Sequence, residues 1–300
     1  MNLNVLDLTL KLKIFAGLRI VFLSITFLFT PIQLIQFFHW KFFTNMRSTI
    51  TQLSKDSINY DAKLEENKVR PKVAIILHVF YPDIGIEILE QILPISNSFD
   101  KILVTHCMTQ DVFTEFQNNL PEELLSKCHF MIVENRFRDS GPLIQAASSL
   151  YLSDCEVFLK LHTKKSPHLP NDEGQLWRQD LVIGLLNPKN IETLINRLAA
   201  DPGPLWACPE RWISVKSQWG FNSFQVWKLT RRLGIPFQGP QPFPVGNMYW
   251  FNKSIIWYIR KLSNGEIFMG YQHNISNLKD GSVCHALERV QSQLSLPYLP

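Results

Sequence analysis

Three hundred residues with 46% apolar content are enough for one large domain with a sizeable core, alone or with an appendage. The formal net charge of +4 is too mild to imply a nucleic-acid partner. The five cysteines (Cys107, Cys128, Cys155, Cys208 and Cys284) are scattered, odd in number and without a CxxC pair. That excludes a disulfide framework and a zinc site, and leaves them as small apolar residues of a reducing compartment.

The first 47 residues read as a membrane-associating segment. No acidic residue occurs between Leu8 and Lys55, whereas Lys11, Lys13, Arg19, Lys41, Arg47 and Lys55 are basic. Between them, Ile20 to Phe38 is apolar enough to cross a bilayer. Arg19, Thr26, Thr30 and Gln33 share one helical stripe, and Pro31 kinks it, which equally suits a helix lying in an anionic interface or packed on its own domain. No small-residue cleavage site follows, which argues against a secretory signal. The expected location is the cytoplasmic face of a membrane, peripheral or single-span. Residues 48–71 are polar and charge-mixed and read as a linker.

From residue 72 to 293 the pattern alternates. Val73–Phe80 is an apolar, β-branched strand. A helix over Asp83–Leu93 follows, with Asp83 near its N-cap and Pro94 near its stop. Strand Asp100–Cys107, a helix from Thr109 to about Leu120, strand Cys128–Glu134, helix Pro142–Leu152 and strand Glu156–Thr163 come next. Strands separated by single helices predict an α/β fold with a mainly parallel sheet flanked by helices. Further on, the periodicity predicts helices at Trp177–Leu186, Lys189–Ala200 and Phe221–Leu233, and short strands at Leu205–Pro209 and Phe243–Phe251. A last helix is expected over Ser282–Gln293, and residues 294–300 are left as a tail.

Ligands collect beyond the carboxyl ends of parallel strands. There the chain places His78 to Asp83, His106 to Asp111, Glu134 to Asp139 and His162 to His168. The runs Glu134–Pro142 and Phe158–Ser166 concentrate arginines, lysines, carboxylates and a histidine around two strand ends, as a phosphorylated, polyhydroxylated ligand would need. There is no Walker loop, no dinucleotide fingerprint and no metal-spaced Cys/His set. Fixed cations can neutralise a departing diphosphate in place of a divalent ion. The candidates are Arg136, Arg138, Lys160, Lys164 and Lys165, with Asp139 accepting from donor hydroxyls, Asn135 capping the turn and His162 beside them. A divalent metal (Mn or Mg) on His162 and Asp139 is left open.

Several segments, in order, resemble the rhamnan synthesis protein F family. Glu134–Pro142 looks like its ENRGRDIGP motif, with Phe137 where the family usually has glycine. Leu159–Ser166 resembles its KLHTKKS segment, Trp177-Arg178 its WR pair, Phe243–Trp250 its FPxGSMFW strand, and Asp280–Val290 its DGTxAHALERL ending. A weaker likeness is to A-type family-2 glycosyltransferases, whose DxD metal motif is here Lys160-Leu161-His162-Thr163-Lys164. The resemblance implies an A-type glycosyltransferase-like fold. It also implies an enzyme of bacterial cell-surface polysaccharide assembly that moves rhamnose or a related sugar from a nucleotide sugar to a lipid-linked glycan. In an inverting transfer a carboxylate deprotonates the acceptor hydroxyl. By the resemblance that residue is Asp280 or Glu288, with His285 on the same helix, and Trp177, Arg178, Gly246, Asn247 and Trp250 contact the acceptor or sugar. The competing expectation is a non-catalytic glycan-binding or scaffolding subunit of the same machinery, which Phe137 and the missing DxD motif favour. A phosphate-ester hydrolase lacks a nucleophile motif.

Overall fold

The computed structural model describes residues 70–165, 173–214, 219, 222–263, 283–295 and 297–298, all within one compact unit, Leu64–Pro300. The expected membrane-associating segment and nearly all of the linker lie outside the described residues, as does Asp280. No helix among the described residues is long and apolar enough to cross a membrane.

Among the described residues, seven strands form one sheet: β1 (Val73–Val79), β2 (Lys101–His106), β3 (Cys128–Ile132), β4 (Val157–His162), β5 (Trp206–Ala207), β6 (Tyr249–Asn252) and β7 (Pro297–Tyr298), in the order β3-β2-β1-β4-β6-β5-β7. The pairs joining β3, β2, β1 and β4 are parallel, and β6 alone runs against its neighbours. The sequence reading of a mainly parallel α/β sheet is thus met, with one reversed strand inserted. Every residue of β1 is buried, as the unbroken apolar run VAIILHV requires of a strand covered on both faces. The edge strand β3 is half exposed, with Ile132 facing solvent. Pro297–Tyr298, within the stretch read as a tail, instead form β7, which pairs with β5, and nearby the Ser295 carbonyl accepts the Trp206 indole N–H at 3.0 Å.

The helices are α1 (Pro82–Ile92), α2 (Gln110–Asn118), α3 (Glu122–Lys127), α4 (Ser140–Ala147), α5 (Glu173–Leu185), α6 (Pro188–Ala200), α7 (Ser223–Leu233), α8 (Lys253–Ser263) and α9 (Val283–Val290). Pro82 and Pro188 sit in first turns, where a missing N–H costs nothing, and the Asn187 side chain caps α6 by accepting from the Lys189 N–H at 3.1 Å. Gly234, at φ 73°, ends α7 in the left-handed conformation of a helix C-terminus. Helices α1 and α6 cover one face of the sheet, and α4, α7, α8 and α9 pack together on the other. Neighbouring residues of β6 divide between these layers. Trp250 stacks on Phe99 (centroids 5.9 Å apart) and bonds the Leu185 carbonyl, while Tyr249 borders a cavity formed with α4, α8 and α9.

The expected strand Phe243–Phe251 is corrected to Tyr249–Asn252. Pro244 makes only an isolated bridge to Ile213, and Gly246 (φ 85°) and Asn247 (φ 55°) break the extended run into a turn. The helix expected over Pro142–Leu152 starts two residues earlier and ends at Ala147; a separate 3-10 turn covers Leu150–Leu152. Helices α3 and α8 were not read from the sequence.

Candidate functional site

Strand order reverses between β1 and β4. Strands β2 and β3 extend the sheet from one side of β1, and the chain then crosses back to place β4 on the other. Loops diverge at such a point and leave a crevice beyond the strand carboxyl ends. The residues that border it come from the last turn of each strand. His78 and His162 are register partners across β1 and β4. The next residue, Thr163, ties the two exits together. Its N–H donates to the His78 carbonyl at 2.9 Å, and its hydroxyl oxygen accepts the Phe80 and Tyr81 N–H groups at 2.8 and 3.0 Å.

Strand β4, VFLKLH, is buried throughout, so Lys160 and His162 lie in the interior. The Lys160 side chain is 2% exposed, and its ammonium donates to Asp139 Oδ2 at 2.8 Å. The same carboxylate oxygen accepts the Asn247 amide, which also donates to Ser140 Oγ at 3.0 Å, and lies 3.6 Å from His162 Nδ1. Burial works against a carboxylate here. The His162 ring and the Lys160 ammonium outweigh it and hold Asp139 well below its usual range. Burial lowers the Lys160 ammonium against the pull of Asp139, and drives the His162 and His78 rings down to about 3 and about 4, so both imidazoles are neutral at pH 7. His78 Nδ1 lies 3.2 Å from both the carbonyl and hydroxyl oxygens of Thr105. Among the described residues, His162 Nδ1 is buried within reach of no hydrogen-bond partner other than this long approach to Asp139.

The backbone that delivers Asp139 is unusual. Phe137 and Arg138 both have positive φ, 55° and 52°, before α4 begins at Ser140. A β-carbon added to Gly141 would lie 1.8 Å from the Arg136 carbonyl oxygen, so only glycine fits there. Phe137 holds the left-handed position where the resembling family has glycine, and its side chain, 4% exposed, is part of the hydrophobic core. The phenylalanine therefore adds core contact at this position.

Helix α9 closes the far wall. His285 Nε2 lies 3.4 Å from Arg138 Nη1, and the buried Arg289 donates to the His285 carbonyl and places its guanidinium 4.3 Å from the Phe243 ring centroid. Glu288, with a side chain 22% exposed, feels Asp139, Lys164 and Lys160 electrostatically. Burial and the Asp139 charge raise its carboxyl to about 7, against Arg289, Lys164 and Lys160. Lys164, lowered by burial and supported by Glu288, sets its ammonium 4.1 Å from the Trp177 ring centroid. With Lys160 matched by Asp139, Arg138 and Lys164 carry more charge than the Glu288 carboxyl can balance.

The other expected site residues fall elsewhere. Arg136 is exposed and pairs with Glu134 at 2.8 Å, and Asn135 is exposed on the same loop. Lys165 points to the surface, 3.0 Å from Asp83 and over the Tyr81 ring. Arg178 is buried as a brace, donating to the Lys164 carbonyl and to Glu87, each at 3.0 Å, which orients Lys164. Gly246 lets Trp177 and Leu181 pack where a β-carbon would come within 3.1 Å of each. Trp250, 1% exposed, belongs to the core, which corrects its expected sugar contact. His78 was placed at the strand ends without a role, and Ser140 and Glu87 were not singled out as site residues. A histidine at the end of an otherwise apolar strand was the one available signal; Glu87 lies on a helix face with nothing to mark it.

Among the described residues no group of three or more His, Cys, Asp or Glu side chains gathers to hold a metal ion. Asp139 Oδ2 already takes Lys160 and Asn247, and its neighbour His162 is a single further donor. This donor set does not fit a divalent cation.

The fold and this crevice define a mixed α/β protein with a cation-rich site at its topological switch point. The rhamnan synthesis protein F family matches residues 42–297, and the chain belongs to it. That membership ties it to rhamnan and polysaccharide synthesis. It is also similar to a protein named uncharacterized protein WxcX in two strains of Xanthomonas campestris pv. campestris, ATCC 33913 and B100. Each is 27% identical over 221 residues, which is 73% of this chain and 30% of the relative. The chain thus spans under a third of the length of these curated relatives. No solved structure matches it.

Proposed function

We propose that this chain is an inverting glycosyltransferase of A-type architecture in cell-surface polysaccharide assembly. It moves a sugar such as rhamnose from a nucleoside diphosphate donor to a lipid-linked glycan at the cytoplasmic face of the membrane. The observation that carries the proposal is the grouping of Arg138, Lys164 and Glu288 around the Asp139–Lys160 pair at the switch point. The acceptor hydroxyl oxygen attacks the anomeric carbon while the bond from that carbon to the diphosphate oxygen breaks. The bonding electron pair leaves with the nucleoside diphosphate, where Lys164 and Arg138 oppose the growing negative charge. The hydroxyl proton passes to Glu288, whose carboxyl, raised to about 7, is matched to taking a proton near neutral pH. Asp139 is held by Lys160 and Asn247 and faces the crevice as a fixed acceptor for donor hydroxyls. The basic flanks of the N-terminal apolar segment support a membrane-bound acceptor.

Calorimetric titration of the detergent-purified protein with a panel of nucleoside diphosphate sugars, with and without manganese or magnesium, tests this. Binding of one donor, lost in Lys164→Ala with the fold intact, supports the transferase. A folded protein that binds no donor under either condition is a glycan-binding subunit, and the transferase reading fails.

A further inference from the structure

Helix α8 turns a basic face outward. Ile255, Ile256, Ile259 and Leu262 are buried against the domain, while Lys253, Trp257 and Lys261, four residues apart, form one exposed stripe. The helix, KSIIWYIRKLS, holds three cations and no acid. Trp257 is 51% exposed, a large apolar surface that folding leaves in water, and the Lys261 ammonium lies 3.6 Å from its ring centroid. Arg260, beside them, donates to the Ala147 carbonyl at the end of α4. Three residues past Ala147, Leu150 is 88% exposed, more than any other large apolar side chain among the described residues.

The charge around this face does not balance. Ser153 and Cys155 line one groove with Lys253, Trp257 and Arg260, and between them Asp154 holds Lys72 and Lys101. Glu156 takes Lys253 at 3.2 Å, and Asp100, at the start of β2, accepts the Val73 N–H at 2.8 Å. Lys72, Lys101, Lys253, Arg260 and Lys261 thus stand against three carboxylates. A neutral ligand gains nothing from that excess. An anionic lipid surface does, since each basic residue near it adds attraction, and an indole beside lysines suits the headgroup layer. The chain also enters the sheet here. Lys72, one residue ahead of β1, pairs with Asp154 at 2.7 Å, so the basic, apolar segment before residue 48 is joined to the domain, through residues 48–71, where these cations lie.

We infer that this face docks the folded domain on an anionic bilayer, with Trp257 and Leu150 entering the headgroup layer among the surrounding cations. It is a membrane contact of the domain itself, added to that of the N-terminal segment. The inference rests on the membrane location proposed above, and its test separates the two.

The full chain is placed on phosphatidylcholine–phosphatidylserine vesicles with brominated acyl chains, and its tryptophan emission is compared with that on the unbrominated lipids. The background is Trp40→Phe, which removes the tryptophan of the N-terminal segment. With Trp257 in the interface, adding Trp257→Phe should lower the quenched share of the emission. With Trp257 in water, the same change removes an unquenched emitter and leaves that share equal or higher, which overturns the docking face and leaves it to solvent or to a soluble acidic partner. Because Trp257 is half exposed, Trp257→Phe should melt with the wild type. Lys253→Glu combined with Lys261→Glu should abolish the Trp257 quenching and serves as the reading if Trp257→Phe does not fold. Leaving out phosphatidylserine should do the same, and equal Trp257 quenching on phosphatidylcholine alone overturns the selection by charge. Quenching of Trp40 without Trp257 keeps the N-terminal segment on the membrane and removes the face, and Trp257 without Trp40 keeps the face and removes the segment. Nucleotide-sugar binding enters neither reading.

Discussion

Replacing Asp139 by asparagine keeps the shape of the side chain and removes the charge that answers Lys160. The Lys160 ammonium is 2% exposed and Asp139 is its only carboxylate contact among the described residues. Breaking a buried pair from one side leaves an uncompensated charge and costs about 3 to 5 kcal/mol. Against a typical domain stability of about 5 to 15 kcal/mol, that is a large fraction. Burial already lowers the Lys160 pKa with Asp139 in place, and without it the ammonium falls further below its unfolded value. Between the two values the unfolded state binds the extra proton, so the stability of the variant rises with pH and its deficit narrows toward alkaline solution. Urea unfolding of wild type, Asp139→Asn, Lys160→Met and the double variant, at pH 7 and pH 9, reads this out. The double variant should recover most of the loss, because two apolar or neutral groups need no pairing. A deficit of less than about 1 kcal/mol in Asp139→Asn, or a double variant as unstable as the single, would refute the reasoning.

Phe137→Gly should relieve a left-handed backbone by about 1 to 2 kcal/mol and forfeit a buried ring worth about 3 to 5, for a net loss of roughly 1 to 4 kcal/mol in denaturant titration. A more stable variant would mean the ring contributes nothing to the core. Gly141→Ala, whose β-carbon meets the Arg136 carbonyl, should cost at least about 2 kcal/mol and displace Asp139, seen as weakened donor binding in calorimetry. His78 has a folded pKa of about 4 against about 6.5 unfolded, so its share of stability is complete above pH 6.5 and is lost as pH falls toward 4. The acid limb of a thermal-melt profile should flatten in His78→Gln, and an unchanged limb would put the loss elsewhere. Transfer rate should rise with pH through about 7 as Glu288 loses its proton, and Glu288→Gln should lower kcat by about 10² or more while sparing donor affinity.

The alternation of apolar runs and amphipathic helices was enough to place β1 to β4 within one or two residues, because a strand buried on both faces must be apolar along its length. Lys160 and His162 were legible as exceptions to that rule. Their partners were not. Asp139 lies 21 residues from Lys160 and Asn247 lies 108 from Asp139, and only the crossing of β4 beside β1 and the turn at Gly246 bring the three together. The Phe243–Phe251 run misled because its alternation is that of a strand, while two left-handed residues in its middle answer to packing against Trp177. Arg178 and Lys165 were equally basic in sequence, yet one is buried on Glu87 and the other rides on the surface beside Asp83.

By itself the sequence determined the four parallel strands β1 to β4, that charge collects at their carboxyl edge, and, through motifs in fixed order, the family. Those are properties of local pattern, read within ten or so residues. Tertiary structure alone decided which charge answers which, that Lys160 meets Asp139 while Lys164 lies over Trp177 near Glu288, and that Glu288 holds its proton to about pH 7. Burial and distance set those answers, and both belong to segments far apart in the chain.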